Sequence, residues 1–593
     1  MKIVRKVLFV VLSLLLAVLM AAVLVLNKSA LWGIVVFGVI TVGFYVGHFL
    51  LVRKGVKRGL RSLLWIGWIG VAVALVFAAW PATKPVAAVA VKNPEKTEVV
   101  TIADGKVQGV YNEDKSVMVY AGIPYAKAPV DELRWKAPQD PEPWEGVLVA
   151  DTFAPMSMQP TNLPIYDSLA QIVGYHDYKF SLTDNSVAPV SEDSLYVNVW
   201  RPAEGENLPV LVYVHGGSLQ TGQPWYADYS GEGLAKKGVV VVNMGYRLGV
   251  FGFMASEELA AEDENGSTGN YGLMDQIKAL EWVRDNVAAF GGDPTNVVLA
   301  GESAGSASVS ALCTSPRAAG LFDRVILESS TVASIKPPHS FRLLNEALAE
   351  GKKTLRKYGC DSIEELRKLP ASKLVKEADN HHHVTVDGYV LEKTPYEAYK
   401  AGEHNESAIL HGYNSEESGP FLIFGKANLK NYKAYFESLF GEYAEEALAL
   451  YDVKTNEDAN AAWAEVWGAA YFDYAHYCLN RLAAQNGIVT YEYYFSKKNG
   501  RLGPWHSGEE VYCYGNIPAD SKLYDARDRA LSEEMSAYWA NFAKTGNPNG
   551  AGLPQWETNE GSNRVMSLGD KTEMTDEKKH ALFAIFDKME KWA

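Results

Sequence analysis

Hydrophobic positions follow two different regimes along the chain. In the first eighty residues they run almost without a break. Val7–Leu26 has Ser13 as its only polar member, Ala30–Val52 is a second run, and Leu63–Trp80 a third, slightly short one. Each is long enough, or nearly so, to cross about 30 Å of hydrocarbon as a helix. Helices buried inside a soluble domain are the other reading, and runs this apolar on every side argue against it. A cleaved signal peptide has a shorter apolar core and a small-residue cleavage site. Here the first run is longer, no A-x-A-like site closes it, and two further runs follow. Residues 1–80 are therefore expected to form a membrane anchor of three transmembrane helices.

Residues 81–97 are rich in Pro, Ala, Val and Lys and read as an extended tether. From residue 98 to 593 the apolar runs shorten to strand length between Gly, Pro and Asp clusters. Val99–Ile102, Ser116–Tyr120 and Leu195–Trp200 read as early strands, the last stopped by Arg201-Pro202. Pro209–Val214, Val239–Asn243, Val297–Ala300, Arg324–Glu328, Ala408–His411 and Val489–Phe495 follow as further strands. Helical spacing appears between them, as in Asp275–Asn286 and Ala461–Ala484. Strands alternating with helices predict a doubly wound α/β sheet, whose chemistry sits beyond the carboxyl ends of the strands.

Charge separates the same two regions. Nine of the 56 basic groups fall in the first eighty residues and no acidic residue precedes Glu95, so the remainder carries a formal net charge of −24. Such an acidic body does not suit nucleic acid as a partner. Lys2, Arg5 and Lys6 precede the first apolar run, and Arg53, Lys54, Lys57, Arg58 and Arg61 fill the loop after the second. The first loop has only Lys28. The positive-inside rule then puts the N-terminus in the cytoplasm and everything after Trp80 outside the cell membrane. Cys313, Cys360, Cys478 and Cys513 show neither a disulfide framework nor metal-ligand spacing, and Cys313 and Cys478 fall in core-like helical patterns.

The chemistry centres on Asn296–Ser310. Val297–Ala300 is a buried-strand pattern, and Gly301-Glu302-Ser303-Ala304-Gly305 comes directly after it. A bare GxSxG is weak evidence, but between a strand and a helix it describes an elbow that lifts a serine hydroxyl above the sheet. A serine nucleophile needs an imidazole to take its proton and a carboxylate to fix the imidazole. Of the later histidines, His476 lies in a helical pattern and His580 in a charged C-terminal helix, whereas His506 lies in a loop shortly after a strand. Glu416 and Glu417 both stand just past the Ala408–Tyr413 strand, and the residues alone do not choose between them. His215-Gly216-Gly217-Ser218, at another strand end, offers backbone N–H donors for an oxyanion, with a structural role expected for His215 itself. The triplet His381-His382-His383 does not suit a metal, because neighbouring residues on an extended chain point opposite ways. Neither metal nor cofactor is expected.

Several motifs occur in order from Gly122 onward: Gly122-Ile123-Pro124-Tyr125-Ala126, Leu133-Arg134-Trp135, Ser191-Glu192-Asp193-Ser194, NMGYRLGVFG from Asn243, GNYGLMDQ from Gly269, Phe290-Gly291-Gly292-Asp293-Pro294 and the elbow. Together they resemble the type-B carboxylesterases, the α/β-hydrolase group that includes para-nitrobenzyl esterases and cholinesterases. The resemblance implies an α/β-hydrolase fold, a mostly parallel sheet flanked by helices, with a small-molecule ester as substrate. It implies Ser303 as nucleophile, His506 as base, and Gly217, Ser218 and Ala304 as oxyanion donors. It also decides the acid, because the family's G-x-x-x-x-E-G segment falls on Gly412–Ser418 and makes Glu417 the carboxylate. Ser418 stands where glycine is usual, and Ser194 where many relatives carry a disulfide cysteine. The three-helix anchor lies outside the family pattern. A silent adhesion module like the neuroligins, or an acyl transferase or amidase using the same three residues, are the alternative readings.

Overall fold

The computed structural model describes residues 2–173, 185–376, 381–498 and 503–592. It forms two compact units, Met1–Pro85 with Thr161–Pro189, and Val86–Pro160 with Val190–Ala593.

In the first unit the three apolar runs are helices, α1 (Lys2–Leu26), α2 (Leu31–Arg53) and α3 (Arg58–Ala78). All three are long and apolar enough to cross a membrane. Phe37, Phe44, Trp68, Ala72 and Leu75 pack in the centre of this bundle. The Trp68 indole donates to Thr41 Oγ1 (3.1 Å) and the Tyr45 hydroxyl to Ser13 Oγ (2.9 Å), so several of the few polar side chains satisfy one another. The loop joining α1 to α2 is held at the end of α3, where Ala30 N–H donates to Ala79 O (2.8 Å). A further helix, α4 (Pro164–Val173), packs against α1. Ala82–Thr83, inside the segment read as a tether, pairs in parallel with Ser186–Val187.

The second unit is built on a 13-stranded sheet. Its strands are β1 (Lys96–Ile102), β2 (Gly105–Tyr111), β3 (Val117–Pro124), β4 (Val147–Val149), β5 (Tyr196–Pro202), β6 (Leu208–Val214) and β7 (Val240–Met244). They continue as β8 (Gly292–Glu302), β9 (Arg324–Glu328), β10 (Ala408–Asn414), β11 (Val489–Phe495), β12 (Arg564–Leu568) and β13 (Thr572–Asp576). The order across the sheet is β13-β12-β11-β10-β9-β8-β6-β7-β5-β3-β2-β1, with β4 beside β2. From β7 to β12 every pairing is parallel, and the flanking pairs β12–β13, β5–β7, β3–β5, β2–β3 and β1–β2 are antiparallel. This is the mostly parallel, helix-flanked sheet expected from the α/β alternation.

Strand β6 explains why that signal was legible. Val210, Val212 and Val214 face one core layer while Leu211 and Tyr213 face the other, so both faces are apolar and the run is continuous rather than alternating. The ordered motifs have structural reasons too. Arg134 places its guanidinium on both carboxylate oxygens of Glu192 (2.6 Å each), joining two of them. Arg247 does the same to the fully buried Asp275 (2.8 and 2.7 Å), joining two more. Bidentate pairing is what makes such buried charges tolerable.

Two expectations need correction. The strand ending at Trp200 continues through Pro202, because β5 pairs with β3 as far as Val117. The helix expected over 461–484 is three pieces, Asn456–Gly468, a π-helical turn Ala469–Asp473, and Tyr474–Asn486. The inserted residue of a π turn rotates the remainder of the helix about its axis, and such turns occur often at functional sites.

Candidate active site

Every candidate residue lies at the carboxyl end of a parallel strand. Ser303 directly succeeds β8, the His215–Ser218 loop leaves β6, Glu417 lies just past β10, and His506 lies in the loop after β11. Since β6 and β8 are neighbours and β8, β9, β10 and β11 are consecutive in the sheet, residues far apart in sequence meet at one edge.

The elbow is as tight as its glycines suggest. Ser303 has φ 53° and ψ −125°, a conformation that side-chain-bearing residues rarely hold, and its N–H is fixed by Glu328 O (2.8 Å). Helix α5 (Ala304–Leu312) begins at the next residue. A Cβ on Gly305 would stand 2.0 Å from Val214 O, so β6 can approach α5 only because that position is glycine. Gly216 is squeezed in the same way, since its Cβ would meet Glu302 O at 2.7 Å and Ser303 Cβ at 3.0 Å. The loop after β6 is thereby packed directly on the serine.

The structure brings three of the candidates into one chain of contacts. His506 Nε2 lies 2.7 Å from Ser303 Oγ, and His506 Nδ1 lies 2.6 Å from Glu417 Oε2. Glu417 Oε1 accepts the Asn414 N–H (2.7 Å). All three side chains are buried. The carboxylate can only accept from Nδ1–H, which leaves Nε2 free to accept the serine proton. Burial raises the Glu417 carboxyl pKa, while the Asn414 N–H, the Ser329 hydroxyl and the charge of Lys579 pull it back toward the ionised form. Glu416 is placed elsewhere. It is half-exposed and its Oε1 pairs with Lys498 Nζ at 2.9 Å.

Around the loop after β6, Gly217 and Ser218 both have positive φ, 101° and 57°. Among the described residues, the N–H groups of Gly217, Ser218 and Ala304 donate to no protein acceptor. His215 is buried, its Nδ1 lies 2.9 Å from Gly216 O, and its ring stacks on Tyr246 with centroids 4.6 Å apart. Burial lowers its pKa to about 4, so it is a neutral packing element at physiological pH. Trp225 and Tyr226 pack against the core layer on one side of the sheet.

Sequence patterning does not reveal the other neighbours of the imidazole. Glu302 Oε1 lies 3.4 Å from His506 Nε2 and accepts the Ser507 hydroxyl at 2.7 Å, and burial raises its carboxyl pKa. The rings of Phe472 and Phe421 pack on the His506 ring, with centroids 4.4 and 5.2 Å away. Phe472 belongs to the π turn, to which helical periodicity is blind. Glu302 could have been singled out by its place beside the serine.

Glu328, at the end of β9, accepts hydrogen bonds from the Trp539 indole (2.7 Å) and the Cys513 thiol (3.3 Å). Burial pushes its carboxyl from 4.5 up to about 8. Such a group binds a proton on folding. Its stabilisation is complete below the unfolded value near 4.5 and is lost as pH rises through 8. Glu328→Gln cannot ionise, so its Tm relative to the parent protein is expected to climb between about pH 5 and about 8. Paired thermal scans across that window check this, and a constant difference would reject a protonated Glu328.

The carboxylesterase family matches residues 96–585 of this sequence. The chain belongs to that family. This carboxylesterase is 31% identical to the fumonisin B1 esterase of Sphingopyxis macrogoltabida, over 88% of this chain and 93% of that protein. It is also 31% identical to carboxylesterase 1C of Rattus norvegicus, over 82% of this chain and 92% of the rat protein. Among solved structures, a carboxylesterase of Geobacillus stearothermophilus superposes with a TM-score of 0.71 at 31% identity, covering 82% of this chain and all of that one. The esterase is a carboxylic ester hydrolase of the α/β-hydrolase fold acting on small-molecule esters.

Proposed function

We propose that this enzyme is a serine carboxylesterase that works through an acyl-enzyme and is held on the outer side of the cell membrane by α1–α3. Ser303 Oγ attacks the ester carbonyl while His506 Nε2 takes its proton. Glu417 keeps the Nδ1–H tautomer and stabilises the imidazolium that forms. The N–H groups of Gly217, Ser218 and Ala304 receive the oxyanion, where each such donor is worth about 10²–10³ in rate. His506 then protonates the departing alkoxide, and a water deprotonated by the same imidazole releases the acid and restores Ser303. The observation that carries this reading is the unbroken line from Glu417 through His506 to Ser303, with contacts of 2.6 and 2.7 Å. An adhesion module would have no need of it. The outward placement is supported by the basic residues clustered at the α2–α3 end of the bundle.

A fluorophosphonate tests the chemistry directly. Mass spectrometry of the labelled protein is expected to find the adduct on the peptide containing Ser303, with ester turnover lost in proportion. Folded protein that stays unlabelled would overturn the acyl-enzyme. Protease added to intact spheroplasts tests the placement, since resistance of the α/β unit would put it in the cytoplasm.

A further inference from the structure

Between Pro160 and Val190 of the α/β unit, residues 161–173 and 185–189 belong to the same compact unit as the three apolar helices. The outgoing limb forms α4, which packs against α1. The returning limb pairs Ser186–Val187 with Ala82–Thr83, two residues beyond Trp80. The returning limb is therefore fastened close to where α3 ends.

Helix α4 divides its residues sharply. Pro164 and Ser168, four apart, are buried. Leu163, Tyr166, Leu169 and Ile172, each three apart, are exposed, with Tyr166 61% open. Leu163, just before the helix, and Tyr166, Leu169 and Ile172 on it spread over the half of α4 opposite Pro164 and Ser168, beside the exposed Asp167, and large apolar side chains grouped this way are uncommon on a water-facing helix. Partial burial raises the Asp167 carboxyl pKa, opposed by the Asn162 side chain and by the nearby charge of Lys28, so α4 stands beside the α1–α2 loop. The same end of the bundle carries exposed Trp32 and Trp80, while α1–α3 expose Val18, Val42 and Ile66 along their lengths. Tyr166 thus joins a girdle of amphipathic aromatic residues where an apolar flank gives way to polar loops, the composition of a bilayer boundary. This surface continues the exposed apolar flank of α1–α3, which is chemically compatible with lipid.

We propose that α4 lies in the outer interface of the bilayer, with Leu163, Tyr166, Leu169 and Ile172 set among the upper acyl chains, as a membrane-contacting element contributed by a loop of the esterase body. This rests on the reading of α1–α3 as transmembrane. An interfacial helix sinks its apolar face only about 5–10 Å below the headgroups, and that depth separates α4 from the spanning helices.

The test uses full-length protein in nanodiscs of phosphatidylethanolamine and phosphatidylglycerol. Cys360→Ser removes the one thiol that is not fully buried. Val42→Cys, Tyr166→Cys and Lys433→Cys, in separate proteins that retain ester turnover, each carry one fluorophore. Lys433 is an exposed position of the α/β unit. Lipids spin-labelled near the headgroup are expected to quench most of the Tyr166→Cys emission, and lipids labelled at the chain end only a small part of it. Val42→Cys should show the reverse order, and Lys433→Cys should respond to neither. Leu169→Cys serves as the second site if Tyr166→Cys does not fold. Quenching at Val42 with none at α4 would overturn the inference and leave the anchor standing. An α4 fluorophore quenched only by a second labelled copy would assign the stripe to a protein contact and equally overturn it. No quenching at Val42 would defeat the transmembrane reading itself.

Discussion

Alanine at position 303 is expected to lower kcat/KM for p-nitrophenyl esters by about 10⁴-fold or more while leaving Tm close to that of the parent protein. The size of the loss is set by the groups that remain when the hydroxyl goes. Among the described residues, no other hydroxyl is hydrogen-bonded to His506 Nε2, and its remaining neighbour there is Glu302 Oε1 at 3.4 Å, an acceptor rather than an alcohol nucleophile. Binding and oxyanion donors alone leave a residual of about 10³–10⁴ over water in enzymes of this kind, well short of full turnover. Stability should hold because Ser303 Oγ contributes one hydrogen bond, while the elbow is fixed by the Ser303 N–H and by packing at Gly305. Steady-state kinetics beside fluorophosphonate labelling of Ser303→Ala decide the matter. Near-parental turnover in that variant would move the nucleophile elsewhere.

Glu417→Gln should cost about 10⁴ in kcat, and Glu416→Gln no more than a few-fold. A glutamine at 417 can turn its amide N–H₂ toward Nδ1, which stabilises the tautomer that cannot accept the serine proton, and it has no charge to offer an imidazolium. At 416 the loss is a half-exposed pairing with Lys498, and contacts of that type contribute little. Measuring the two variants side by side separates the roles, and equal losses would deny Glu417 its special place.

That pair also marks how far the sequence can be read. The buried strands and the elbow were legible because each depends on local pattern, apolar β-formers running into Gly-x-Ser-x-Gly. The two adjacent glutamates were not separable, because their difference is one of direction. One turns inward beneath Asn414 and the other outward to Lys498, and no local rule encodes that turn. What periodicity lacked, the family resemblance offered in its expectation of Glu417. The π turn at Ala469–Asp473 escaped for a related reason. A single extra residue barely disturbs a helical pattern, yet it sets Phe472 on the imidazole and Asp473 against Lys579 Nζ (2.5 Å). Non-local pairing was equally silent. Ala82–Thr83 and Val86–Ala87 look like linker until their partners Ser186–Val187 and Thr152–Phe153 are known.

All four cysteines are free thiols, three of them sealed in the interior. No disulfide ties the architecture together, so folding does not wait on oxidation. Maturation of this protein should proceed equally well with or without a reductant, and a thiol–disulfide isomerase has no task to perform on it. Whichever compartment assembles it, redox poise has no disulfide to set in the finished molecule.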